Sequence, residues 1–244
     1  MIDLTLIGIG TGNPNHVTLE GREALREAAL ILVPRKGGDK SDLAELRYEI
    51  IAASGATARV ADFEMPVRDE SLPYAERVEA WHDEIAARWA TAIAAHEPAG
   101  PVALLVWGDP GLYDSTLRIA ARLDPRPQVR VVPGVSALQA LTAAHAIPFN
   151  TINGAVNVTT GRRLRRHGWP KDVETVFVML DGQCSFQSLK TVDAHIWWGA
   201  FLGMPEQMLV EGELTKATPR IVAVREEGRA RHGWIMDTYM LRRF

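Results

Sequence analysis

Cysteine is nearly absent from the 244 residues: Cys184 stands alone, which excludes a disulfide framework and a cysteine-based metal site and suits a reducing compartment. Basic excess is absent too. The net charge of -3 argues against a general nucleic-acid binder, whose phosphate contacts need a basic surface. No apolar stretch approaches the ~20 residues that span a bilayer, so no membrane partner is expected. Ahead of Leu4-Thr5-Leu6 there is no charged segment leading into a long apolar run and no small-residue cleavage site. A secretory leader is therefore not expected, and a cytoplasmic location is. Internal repeats and low-complexity tracts are missing as well. The chain is long enough for one large or two modest domains.

What is present is an alternation of strand and helix signals. Leu4 to Ile9, Leu30 to Val33, Ala58 to Ala61, Val102 to Val106 and Val129 to Val132 read as strands. Between them lie helical patterns: one capped by Thr18, one from about Ser41 to Ala53, and a long one opened by Ser71 whose Val78, Trp81, Ile85, Trp89 and Ile93 recur at three- and four-residue steps. That stripe reads as core. Helical patterns over Asp114 to Leu123 and Ser136 to Ala146 complete an alternation that implies right-handed crossovers and a mostly parallel sheet. Helical patterning stops near Ile147-Pro148-Phe149-Asn150, which sets expected domains at 1–149 and 150–244. The second half holds strand candidates at Val156 to Thr159, Thr175 to Leu180, Ile196 to Phe201, Gln207 to Val210 and Arg220 to Val224. Short connections there point to a mixed sheet. The tail from Gly228 to Phe244 reads as helix-like through Trp234, Ile235, Thr238 and Leu241.

Three turns follow apolar runs and precede helical patterns: Gly8-Ile9-Gly10-Thr11-Gly12-Asn13-Pro14, Gly108-Asp109-Pro110-Gly111-Leu112-Tyr113 and Val132-Pro133-Gly134-Val135-Ser136-Ala137. Such turns lie at the carboxyl edge of an α/β sheet, where ligands bind. The dinucleotide fingerprint needs G-x-G-x-x-G and an acidic residue roughly 20 positions later. Here the spacing is G-x-G-x-G, and Leu32-Val33-Pro34-Arg35 stands where the acid should be, so a pyrophosphate-binding half is disfavoured. Asp109, constrained between Gly108 and Pro110, can accept bonds from backbone N–H groups or from a ligand's ammonium or hydroxyl. Ser136 reads equally as a helix cap or as a residue beside a ligand.

In this order and at these separations, the three turns resemble the tetrapyrrole methylases, with their patterns G-x-G-P-G, G-D-P-x-x-Y/F and V-x-P-G-x-S/T-A. Pro34-Arg35-Lys36-Gly37, Met65-Pro66-Val67-Arg68-Asp69, Trp81-His82 with Glu84-Ile85, Met179-Leu180-Asp181-Gly182 and His232 to Tyr239 extend the resemblance to the branch that methylates a corrin precursor at C1 and releases its two-carbon acetyl fragment. The resemblance implies a two-domain α/β fold, with a mostly parallel sheet in the N-terminal domain and a mixed sheet in the C-terminal one. It also implies S-adenosylmethionine as methyl donor, S-adenosylhomocysteine as product, a cofactor cleft between domains and a homodimer. Its cofactor contacts fall on Thr11, Gly108, Asp109, Leu112, Ser136, Ala137 and Met179. Thr11 stands where the family pattern has Pro.

A tetrapyrrole substrate carries several carboxylates, which call for cations. Arg35, Lys36 and Arg68 are expected to bind them, while the run Arg162, Arg163, Arg165, Arg166 reads either as a contact or as a solvated surface. No metal is expected, and methyl transfer from a sulfonium needs positioning rather than an acid. Acetyl release needs a base, for which Asp109, Asp181, His82 and His145 are available by type; no spacing selects among them. The uroporphyrinogen methylases carry an Asp and a Lys acid/base pair, but that Asp position falls near Pro34 here, so the pair is not carried over. Three other readings remain: another corrin-ring C-methyltransferase, a Rossmann-type methyltransferase, and a non-enzymatic tetrapyrrole carrier. The missing ribose acid counts against the second of these and the cofactor turns against the third.

Overall fold

Five consecutive buried residues follow exposed Asp3 in strand β1 (Asp3–Gly8), and strand β4 (Val102–Val106) is buried throughout. Strands so covered on both faces are the central strands of a parallel sheet. The computed structural model describes residues 2–35, 41–189 and 191–244. Around these two strands it places β2 (Leu30–Arg35), β3 (Arg59–Glu64) and β5 (Gln128–Val132) in the order β3-β2-β4-β1-β5, every pair parallel. The crossovers are α1 (Leu19–Glu27), α2 (Ser41–Ser54), α3 (Tyr74–His96) and α4 (Thr116–Ala120).

Alternation along the strands divides the core by face. Leu4, Leu6, Leu30, Leu32 and Leu104 pack with Ile85, Trp89 and Ile93 of α3, while Ile7, Ile31, Val33 and Leu105 pack with Leu25 of α1 and Ile50 of α2. The α3 stripe is thus core, as expected. Thr18 caps α1, its hydroxyl accepting from the Gly21 N–H at 3.0 Å. The third helix begins at Tyr74 rather than Ser71, whose N–H and hydroxyl are both engaged by Asp69.

The chain divides between Ser136 and Ala137 into two compact units. Helix α5 (Ala137–Ala144) falls on the second side, where it contacts β8 and β10; the sequence reading set the division after Phe149, past the end of the same helix. The second unit continues with β6 (Val156–Thr160), α6 (Gly161–His167), β7 (Thr175–Met179), β8 (Ala194–Ala200), β9 (Met208–Glu213), α7 (Leu214–His232) and β10 (Asp237–Arg243). Its sheet is mixed, in the order β6-β7-β10-β8-β9, with β6 and β7 parallel and the other pairs antiparallel.

Two expectations fail in this unit. Residues Arg220 to Val224 lie inside α7, not in a strand. Their β-branched run suggested extended chain, yet only Ile221 is fully buried while charged residues surround it, which is a helical face pattern. The tail, read as helix-like from Gly228, continues α7 only to His232; from Asp237 it is the central strand β10, where Thr238, Tyr239, Met240 and Leu241 are buried in succession between β7 and β8. A short continuous apolar run fits a buried strand or a buried helix equally, and tertiary pairing decides. Among the described residues no helix is long and apolar enough to cross a membrane.

Candidate functional site

The three glycine turns of the first unit meet main chain to main chain. Gly10 and Gly108 form an antiparallel bridge, the Gly108 N–H reaching the Gly10 carbonyl at 2.8 Å. A Cβ on Gly134 would lie 2.2 Å from the Gly108 carbonyl oxygen, and one on Gly8 would lie 2.5 Å from the Gly134 nitrogen. Both positions admit hydrogen alone. Gly108 differs: its φ is +70°, and nothing lies within 4 Å of where its Cβ would be. There the main chain faces open space.

Asp109 ties two of the turns together. Its Oδ1 accepts from the Gly111 N–H at 2.8 Å, and its Oδ2 accepts from the Gly134 N–H at 3.0 Å. Of the two roles left open by the sequence, binding backbone N–H groups is the one the geometry displays. Thr11 is buried, with its hydroxyl 3.3 Å from His16 Nδ1, and burial holds the His16 pKa below its ordinary value. Leu112 is half-buried beside Tyr113, which is exposed at φ +49°. An aromatic residue held in the left-handed region marks local strain. Ser136 is buried two residues past Gly134. The structure therefore gathers Thr11, Gly108, Asp109, Leu112 and Ser136 in the first unit, whereas Ala137 opens α5 and Met179 ends β7 in the second.

The expected substrate cations have partners of their own. Exposed Arg35 at the end of β2 donates from Nε to Asp62 Oδ2 at 2.9 Å and lies over the Tyr48 ring, with the Tyr48 hydroxyl also bonded to Asp62. The bond to Asp62 raises the Arg35 pKa. Arg68 sits 4.2 Å from the centroid of Trp81, whose Nε1 donates to the Pro66 carbonyl at 2.8 Å. Lys36 lies outside the described residues. The arginine run is helical rather than loop: it forms α6, capped by Thr160, and Arg165 donates to the Ser185 hydroxyl at 3.1 Å.

Among the four groups available by type as a base, none stands ready. Asp181 is the hub of a buried network: Oδ1 accepts from Gln183 N and the Ser185 hydroxyl, and Oδ2 from Ser185 N and, at 2.7 Å, the Tyr239 hydroxyl. Burial and the Asp181 charge raise the Tyr239 pKa well above its usual value. Each oxygen of Asp109 holds one turn. His145 has Nε2 3.1 Å from the Trp198 carbonyl and Nδ1 3.5 Å from Glu211. His82 is 3 % exposed with neither ring nitrogen hydrogen-bonded.

One feature escaped the sequence reading. A pocket of about 210 Å³ opens beside β2 and β4, with Phe63, Trp81, Trp89 and Trp107 among its walls and Arg47 and Asp114 as its charged groups. Arg47 sits on α2 amid a pattern that signals only a helix, and Trp81 and Trp89 carry a spacing that signals only core. No local pattern in the sequence marks a cavity whose walls come from β2, α2, β3, α3, β4 and α4.

A model of the family described as Tetrapyrrole (Corrin/Porphyrin) Methylases matches residues 3–218. The chain is 41% identical over 251 residues to a precorrin-6A synthase [deacetylating] of Sinorhizobium sp, covering 100% of this chain and 96% of that one. A solved structure of a cobalamin synthesis related protein (CobF) from Corynebacterium diphtheriae superposes with a TM-score of 0.85 at 40% identity, covering 99% of this chain and 98% of that one. Uroporphyrin-III C-methyl transferase from Thermus thermophilus, solved with S-adenyl homocysteine, shares the fold with a TM-score of 0.65 at 19% identity, covering 98% and 91% of the two chains.

Proposed function

Because the chain belongs to the tetrapyrrole (corrin/porphyrin) methylases, we propose that it methylates precorrin-5 at C1 with S-adenosylmethionine and releases acetate, giving precorrin-6A in aerobic cobalamin biosynthesis. The observation that carries this reading is the 41% identity, end to end, with a deacetylating precorrin-6A synthase. The open face over Gly108 adds physical support, since a ligand can lie directly on main chain there. The methyl donor supplies an electrophilic carbon whose sulfur departs neutral. The protein is left with the work of positioning.

That work starts from the interlocked turns. Gly8 and Gly134 fix the main chain through contacts that no side chain can enter, and Asp109 locks the second turn to the third. The lone pairs that Asp109 keeps are free to accept from a ligand. Thr11, Gly108, Asp109, Leu112, Ser136, Ala137 and Met179 are the proposed cofactor contacts; Thr11 acts through its main chain, because its hydroxyl is turned to His16. Rate then follows from holding the ring carbon about 3 to 3.5 Å from the methyl group. Arg35, Lys36 and Arg68 are the proposed partners of ring carboxylates. Exchanging Asp62 for a substrate carboxylate costs Arg35 little, since an exposed ion pair is weak. We further propose that the protein is a cytoplasmic homodimer that works without a metal.

Incubation with precorrin-5 and methyl-labelled S-adenosylmethionine tests the reading. NMR is expected to place the label on C1 beside free acetate. Label on another ring carbon, or no acetate, assigns the chain to a different corrin methylation.

A further inference from the structure

Arg47 is placed unusually for a surface-type cation. It rises from α2 toward β4, where Nε donates to the Leu105 carbonyl at 3.3 Å and Nη1 donates to the Leu43 carbonyl at 2.8 Å. Both partners are neutral. Among the described residues no carboxylate lies within 4.0 Å of its guanidinium, and Asp114 acts on it only at longer range. Loss of solvent lowers its pKa to about 10, against the weaker pull of Asp114. The group stays charged at neutral pH and retains donors that the two carbonyls do not use.

The surroundings point the same way. Arg47 lines the pocket of about 210 Å³, whose walls include Phe63, Ile85, Leu104 and Ile119; such apolar surroundings strengthen a charge interaction inside. Trp89 lines it too. A cation bonded only to carbonyls thus lines one small cavity and calls for a partner of negative charge. Size narrows the class. The space equals that of about seven waters, and it lies below the ~300 Å³ at which pockets begin to enclose a whole drug-sized ligand. It has room for a short acid arm.

Resting on the methylase reading, we propose that this pocket receives one acetate or propionate side chain of the tetrapyrrole, with Arg47 as the charge partner. Arg47 is then a specificity residue that sets which ring edge faces the cofactor turns. Asp114 rejects a second acid from the same space. Its Oδ1 accepts from the Thr116 N–H at 2.6 Å at the start of α4, which keeps the carboxylate in place.

The test compares Arg47→Met, Arg47→Lys and Ser115→Phe. Ser115 lines the pocket, and its side chain makes no cap bond to α4, so the phenyl group fills the space while the Arg47 side chain is retained. Loss of a charge-assisted bond is expected to raise the KM for the tetrapyrrole about tenfold or more in Arg47→Met, more than it lowers kcat, with S-adenosylhomocysteine affinity unchanged. Arg47→Lys recovers part of the loss, and Ser115→Phe repeats it. An unchanged KM in folded Arg47→Met overturns the proposal; should that variant not fold, an unchanged KM in Ser115→Phe does so. A second measurement stands apart from the enzymatic reading. Three of the seven tryptophans line the pocket, so indole fluorescence is expected to change saturably with propionate, not with propionamide, and not in Arg47→Met. Equal response to both probes overturns the pocket assignment even where methylation is normal. A propionate response without any corrin methylation leaves the pocket standing and refutes the function.

Discussion

Gly108 and Gly134 sit one turn apart, yet they are glycines for different reasons. At Gly134 the obstacle is space, because a methyl group would strike the Gly108 carbonyl at 2.2 Å and both atoms belong to main chain. At Gly108 the obstacle is conformation, since φ is +70° while the space beyond is open. Gly134→Ala is therefore expected to cost about 1–3 kcal/mol as overpacking, and Gly108→Ala about 1 kcal/mol as left-handed strain. Differential scanning calorimetry checks the order. Gly108→Val, by contrast, is expected to weaken S-adenosylhomocysteine binding in a calorimetric titration, by closing the open face; unchanged affinity removes that face from the site. Histidine 82 yields a pH prediction. Burial is the main cause that lowers its pKa, with Arg122, Arg118 and Arg68 adding to the effect and Glu79 opposing it. Its folded form binds a proton less readily than its unfolded form, so stability is full above the unfolded pKa of about 6.5 and is lost as pH falls through it. His16 and His195 are lowered too and act in the same sense. The melting temperature is expected to drop between about pH 7 and 5, and His82→Phe to flatten that slope; an unaltered slope means that other groups carry the loss.

Helix α7 and strand β10 are joined by a nearly closed ion pair. Arg225 Nε meets Asp237 Oδ2 at 3.0 Å with side-chain exposures of 10 % and 8 %, and Trp198 Nε1 donates to the same oxygen at 3.0 Å. Burial still pushes the Asp237 pKa up, with Arg225 and Trp198 pulling against it. Arg225→Met strands that carboxylate and is expected to cost about 3–5 kcal/mol, whereas Arg225→Met with Asp237→Leu recovers most of it. Urea denaturation of the two variants decides; equal losses would mean that packing, not charge, joins the elements. The same two elements show where sequence reading stops. The run Ile221-Val222-Ala223-Val224 and the run Thr238-Tyr239-Met240-Leu241 have similar local character, but one is helix and the other the middle strand of a sheet. Nothing local separates them, because β10 owes its state to β7 and β8 on either side. In the first unit α3 is long enough, and its apolar stripe regular enough, for the period to identify it. The glycine turns were legible for a further reason: positive φ and main-chain contact restrict the residue type at single positions. The Arg47 pocket had no such mark, since it needs β2, α2, β3, α3, β4 and α4 brought together.

At the scale of the whole molecule, the proposed reaction asks for two chemistries, and the polar groups supply them unequally. Methyl transfer needs only a fixed frame, which the three turns provide. Acetate release needs water at a carbonyl carbon, and the four groups suited by type are engaged or enclosed: Asp109 in the turns, Asp181 in its network, His145 at the Trp198 carbonyl, His82 in the core. The macrocycle itself then has to supply much of the drive. In the proposed reaction hydroxide adds to the acetyl carbonyl and the carbon–carbon bond breaks; its electron pair passes into the conjugated ring, and acetate leaves with one oxygen from water. In water enriched in ¹⁸O, acetate is expected to carry one solvent oxygen and to form in equal amount with S-adenosylhomocysteine. If neither His82 nor His145 acts as base, His82→Phe and His145→Gln are each expected to keep that equality. Methylated product without acetate in one of them would identify the base and overturn the argument that the ring drives the cleavage.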